Sequence, residues 1–123
     1  MKHTIPCTIE TIASPTEEAW IIAIDHTTVP DAIILLTALR LGKVSQIKLT
    51  DRSQTALLRP DSLILADSAV PISAVWLDAV CAMLVNIHLK GWSNTAHLDQ
   101  DFSTPDGEIC ICFAVTPPQS FSI

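Results

Sequence analysis

His97, Asp99, Asp101, Cys110 and Cys112 are the residues of this 123-residue chain whose types and spacing can do chemistry together. Imidazole, carboxylate and thiolate are all ligands of zinc and related divalent cations, which take three or four of them in a tetrahedron. Positions 97, 99 and 101 are two apart, as are 110 and 112, and residues two apart on a strand share a face. Between the two groups lies Thr104-Pro105-Asp106-Gly107, a turn signature in which Pro pre-sets one backbone angle and Gly is free to take positive φ.

With those four residues as the loop, Ser103 pairs with Glu108, Asp101 with Cys110, Asp99 with Cys112 and His97 with Ala114. A slip of one residue would scatter the group. Two cysteines in a C-x-C pattern on a strand hold their sulfurs about 6–7 Å apart, too wide for two thiolates on one ion. The candidate metal ligands are therefore His97, Asp99 and Cys112, and the chemistry they imply is that of a metal-dependent enzyme or metal sensor. The plainer reading of the same residues is a solvated acidic face with two half-buried thiols.

The other face of this hairpin carries Ala96, Leu98, Gln100, Phe102, Ile109, Ile111, Phe113 and Val115, and needs a partner to cover it. The partner expected from the sequence is a long helix over about 73–90. Pro71 suits its approach, Ser73 its cap, and Lys90 with Gly91 its end. Asp78, Asn86 and His88 argue against a membrane span, and apolar residues on nearly every side argue for burial within the domain. His88 reads as a core histidine. Cys81 lies two helical turns from it, too far for a thiolate–imidazole pair.

A second, shorter helix is expected over about 30–41, between the Pro30 start and the Gly42 stop, with Thr28 near its cap. The stretch 4–12 reads as a strand, with Pro6 tolerated at an edge. Ser14-Pro15-Thr16-Glu17 resembles a capping box, but the Trp20–Ile24 run that follows favours a strand. The reading adopted is a turn at 13–17 and a strand at 18–25, so that 4–25 is a first hairpin. Strands are also expected at 43–50, 55–58 and 62–66, with 67–70 as a lead into the long helix, and an irregular tail from 116. Trp20, Trp76 and Trp92 read as core. The fold class is α+β: one domain over 1–123, its mostly antiparallel sheet packed against the two helices.

Composition narrows the function classes. Seven Lys and Arg against 13 Asp and Glu give a net charge of −6, which does not fit direct binding to nucleic acid. The charges are also unevenly placed. Arg40, Lys43, Lys48, Arg52 and Arg59 face only Asp51 in the middle of the chain, and beyond Lys90 every formal charge is an acid. The opening residues MKHTIPCTIE lack the apolar core of a signal peptide, so the chain is expected in the cytoplasm with its four cysteines reduced. No phosphate loop, nucleophile elbow, HExxH or dinucleotide fingerprint occurs, and no cofactor is expected.

In its short, acidic, motif-free character the chain is similar to small inhibitor proteins such as toxin-immunity and phage anti-defence proteins, a similarity of type rather than of residues. The expectation is a non-catalytic bacterial or phage protein that covers a protein partner, a basic toxin or nuclease. The expected contact surface is Asp99, Asp101, Asp106 and Glu108, joined by Glu17 and Glu18. A structural subunit that forms a homodimer is the third alternative.

Overall fold

The computed structural model describes residues 3–15, 17–90 and 96–116. The capping-box residue Thr16, the helix stop Gly91, Trp92 and the tail beyond 116 lie outside them. Among the described residues nine strands and two helices follow one another: β1 (Thr4–Pro6), β2 (Thr8–Ala13), β3 (Glu18–Asp25), a 3-10 turn at His26–Thr28, α1 (Val29–Arg40), β4 (Ile47–Thr50), β5 (Thr55–Leu58), β6 (Ser62–Leu65), β7 (Ser68–Pro71), α2 (Ala74–Lys90), β8 (His97–Thr104) and β9 (Gly107–Thr116). The class is α+β, as expected, but the strands form two sheets. One runs β1-β4-β5-β6-β7 and the other β2-β3-β9-β8, mostly antiparallel, with β1∥β4 and β3∥β9 as the parallel pairs.

The expected strand at 4–12 breaks at Cys7. β1 leaves to pair with β4, and only β2 makes the hairpin with β3. The break is held from outside. The Cys7 amide donates to Thr50 O at 2.9 Å. The Ile9 amide donates to Asp51 Oδ2 at 2.9 Å, and Gln54 Nε2 donates to Ile9 O at 2.8 Å. The β4–β5 turn therefore supplies two side chains that bond the outward N–H and C=O of Ile9 on β2 and tie one sheet to the other. The turn expected at 13–17 forms, with the Glu17 amide donating to Ser14 Oγ at 3.1 Å. The S-P-T-E pattern thus closes a hairpin rather than starting a helix.

The segment 67–70, expected as a lead-in, is instead most of β7. It pairs with β6 through a two-residue turn in which Ala66 takes φ 53°, a value that favours glycine. That substitute for the usual turn residue hid the hairpin. β4 is shorter than the expected 43–50.

One apolar cluster joins the inward residues of both sheets to both helices. α2 begins at a true cap, the Trp76 amide donating to Ser73 Oγ at 3.2 Å, whereas Thr28 at the start of α1 makes no side-chain cap bond. α2 sends Trp76, Leu77, Val80 and Leu84 into the core and leaves Val75 and Leu89 exposed. Trp76 meets Phe102 of β8 edge to face, centroids 5.8 Å apart. His88 is exposed, not in the core as expected, because it stands in the last turn of α2, beyond Leu84, the last buried residue of that helix. α1 and α2 pack side by side. Arg40 clasps Asp78 across them at 2.6 and 3.2 Å, and Thr37 Oγ1 lies 3.8 Å from Cys81 Sγ. No described helix is long and apolar enough to cross a membrane.

Two measurements check this packing. Leu77→Ala should cost about 2–5 kcal/mol in urea unfolding, while Val75→Ala, two residues away on the exposed side of the helix, should stay within about 0.5 kcal/mol. Asp51 concerns the acid limb. The amides of Ile9 and Arg52 hold its carboxyl below the ordinary value. A carboxyl depressed on folding adds stability above its unfolded pKa of about 3.9 and loses it as pH falls through the folded value. Asp51→Ala should therefore lower the urea midpoint at pH 7 and flatten its fall below about pH 4.

Candidate functional site

The geometry of the site follows from β9, which pairs with a neighbour on each side. Trp20, Ile22 and Ile24 of β3 sit beside Ile111, Phe113 and Val115 of β9, and all six point into the core. Alternation then sends Ala19, Ile21, Ala23 and Asp25 of β3 to the outer face, with Cys110, Cys112 and Ala114 of β9. Adding the outer strands gives three rows across the sheet. They read Thr8–Ala23–Ala114–His97, Glu10–Ile21–Cys112–Asp99 and Ile12–Ala19–Cys110–Asp101. The floor of the face is mostly apolar; the β8 margin is polar throughout, and the β2 margin carries Thr8 and Glu10 beside the exposed Ile12.

The hairpin register is the one the turn signature predicts. Asp101 opposes Cys110, Asp99 opposes Cys112 and His97 opposes Ala114. Thr104 Oγ1 donates to Gly107 O at 2.7 Å and accepts from the Asp106 amide at 3.2 Å, and Gly107 takes φ 132°, a value closed to most side chains. The Val115 amide donates to Ala96 O at 2.9 Å, so Ala96–Val115 is a hydrogen-bonded pair. Alternation along the ladder makes Asp99–Cys112 a non-hydrogen-bonded pair, the kind with the closer side chains.

Asp99 is the hub of this corner. His97 Nδ1 lies 3.1 Å from Asp99 Oδ1, with both side chains about half exposed at 54% and 52%. One ligand atom each from His97, Asp99 and Cys112 lie within 4.8 Å of one another, the one such three-residue group among the described residues. The Cys112 thiol is pushed up to about 12, by burial first and then by its hydrogen bond to Asp99 and that carboxylate's charge. The same thiol bond, and that of His97, hold the Asp99 carboxyl below the ordinary value. Burial and the Asp101 carboxylate also raise Cys110. Burial and the neighbouring carboxylates thus favour the thiol over the thiolate at both positions.

The structure divides the six acids expected at a contact surface. Asp99, Asp101 and Glu108 belong to the outer face, and Glu17 lies near enough to act on Cys110. Glu18 turns the other way and accepts from Trp20 Nε1 at 3.0 Å. With Asp106 and Glu108 it lines a cleft of about 240 Å³ at the end of the sheet, together with Asp67 and Ser68. Sequence reading missed the other margin of the face, Glu10 and Ile12, and the floor of Ala19, Ile21 and Ala23. The period-2 pattern of 18–25 held that signal, but not the strand it would lie beside. No family model, curated protein or solved structure matches the chain.

A cross-strand disulfide tests the register. Mild oxidation of Asp99→Cys should join it to Cys112, because directly opposed residues meet the required Cα separation of about 4.4–6.8 Å. Gln100→Cys, on the opposite face, should stay unlinked. Peptide mapping by mass spectrometry distinguishes the two, and a Gln100→Cys link to Cys112 would contradict the pairing.

Proposed function

We propose that the protein is a non-catalytic binding protein, an inhibitor of the immunity or anti-defence kind, that covers a basic protein partner with the outer face of its four-stranded sheet. The observation that supports this is the charge of the sheet itself. Its strands contain Glu10, Glu18, Asp25, Asp99, Asp101 and Glu108 and no Lys or Arg. The strands of the other sheet contain Lys48 and no acid. A largely apolar floor, with Asp99 and Asp101 along one margin and Glu10 on the other, suits a complementary surface, with charge to steer the encounter and apolar area to hold it.

Size sets the extent of the contact. Four strands about 4.8 Å apart and eight residues of about 3.3 Å each span roughly 500 Å². A standard interface takes about 800 Å² from each partner. The contact therefore extends past the sheet, and Asp106 and Glu17 at its end are the nearest further acids. Self-association through this face is disfavoured, since it would set the same carboxylates against each other. The outer edge of β2, a natural site for strand addition, is already partly taken by Asp51 and Gln54.

The test is a pull-down from host lysate at low and moderate salt, with the wild type and an Asp99→Lys/Asp101→Lys variant side by side. The expected result is a basic protein retained by the wild type, weakened by salt and lost from the variant. Its association rate with the purified variant should fall about 10-fold or more at low salt. The same proteins on both baits would remove this face as the contact.

A further inference from the structure

We infer that His97, Asp99 and Cys112 form a binding site for a single borderline-soft divalent cation, zinc first among them, on the outer face of the four-stranded sheet. The site is independent of the partner-binding reading and would stand if that reading fell.

The argument begins with placement. Asp99 and Cys112 oppose each other on adjacent strands, and His97 stands two residues before Asp99 on the same face. Three ligands of different chemical type thus converge from two strands of one rigid hairpin. Their ligand atoms lie within 4.8 Å of one another. In a tetrahedral zinc site, metal–ligand bonds of about 2.0–2.3 Å put ligand atoms roughly 3.3–3.8 Å apart. The set must therefore close by about 1 Å, which the half-exposed His97 and Asp99 side chains can do by small rotations without moving the strands.

The second step concerns what holds the group together without an ion. Asp99 takes a hydrogen bond from the Cys112 thiol and a contact from His97 Nδ1. Both neighbours are turned toward one carboxylate, so the space between them is one that protons bridge and a cation can occupy. On coordination through Sγ the thiol proton passes to solvent. Thiolate and carboxylate together balance the charge of a divalent ion, with imidazole neutral, so the loaded site is neutral where the free one carries the Asp99 charge. Soft sulfur with nitrogen selects zinc, cobalt or cadmium over magnesium and calcium, which prefer all-oxygen shells.

Three protein ligands leave the fourth position to water or an outside group, the open arrangement of exchangeable rather than closed structural sites. Asp101 and Cys110 stand about 6–7 Å further along the same strands and engage each other, so they flank the site without completing it.

The test uses tag-free full-length protein, stripped with chelator and kept reduced, titrated with Co²⁺ and then Zn²⁺. The expected result is saturable binding of one Co²⁺, with the visible absorption of tetrahedral cobalt and a thiolate-to-cobalt charge-transfer band, both displaced by Zn²⁺. Cys112→Ser should abolish the charge-transfer band, and His97→Ala or Asp99→Asn should weaken Co²⁺ binding at least ~10-fold. Cys110→Ser should leave both unchanged. These side chains lie on the outer face, and circular dichroism checks that each variant keeps the wild-type fold. Absence of saturable binding in the wild type, or a charge-transfer band that survives Cys112→Ser, would overturn the inference.

Discussion

The parallel ladder between β3 and β9, eight residue pairs from Glu18–Ile109 to Asp25–Thr116, is the constraint on which the rest of the structure depends. It joins two hairpins that are distant in the chain into one sheet. Because a strand alternates with period 2, it also decides which half of every strand is buried. With this register, Trp20, Ile22, Ile24, Ile111, Phe113 and Val115 fill the core under Trp76 and Leu77. The same choice puts both thiols, two alanines of β3 and one of β9 on the outer face. Shifting the ladder by one residue would set Trp20 beside Cys110 or Cys112, so that either the thiols enter the core or Trp20 leaves it. The apolar cost of that exchange holds the candidate site in place, far more than any bond within the site.

A second tie joins this four-stranded sheet to the five-stranded one. Here the chain crosses from one sheet to the other at Cys7, and the crossing is secured by Asp51 and Gln54, which bond to the outer edge of β2. A buried amide left unpaired costs about 1–3 kcal/mol, so the β4–β5 turn satisfies a need that β2 cannot meet within its own hairpin. β7 and β8 run near each other at the other margin. The two helices, clasped by Arg40 and Asp78, share the core that both sheets enclose.

What could be read in the sequence follows the same division between local and distant causes. The 97–116 hairpin was legible down to its register, because Pro105, Asp106 and Gly107 set the turn and the turn sets the pairing. The helix spans were legible from Pro30, Ser73 and Lys90, since caps and stops are local. The partnership of β3 with β9 was not, because parallel partners some ninety residues apart leave no mark on either strand. The departure of β1 to the other sheet hid for the same reason, and β7 hid behind Ala66, which does the work of a glycine at positive φ. Half of the candidate face was therefore visible beforehand: His97, Asp99, Asp101, Cys110 and Cys112 on β8 and β9. The half on β2 and β3, with Glu10, Ile12 and Ile21, belongs to it only through long-range pairing.

The two uses proposed for this face draw on the same atoms, and that has a consequence for how they combine. Asp99 is a margin carboxylate when the sheet meets a basic surface and a ligand when the corner holds a cation. It cannot fully serve both. A divalent ion at Asp99 also lies within one Debye length, about 8 Å, of Asp101, its neighbour two residues along β8, and so opposes that charge as well. The loaded protein would then present a weaker acidic margin than the free one. By linkage, a partner that favours the free acidic face must lower the cation's affinity by the same factor as the cation lowers the partner's. An open fourth position changes this balance only for a partner that brings a ligand of its own. A basic partner with a histidine or cysteine at that point would complete the tetrahedron instead of competing with it. The sign of the coupling between cation and partner therefore depends on whether the partner meets the corner with a charge or with a ligand.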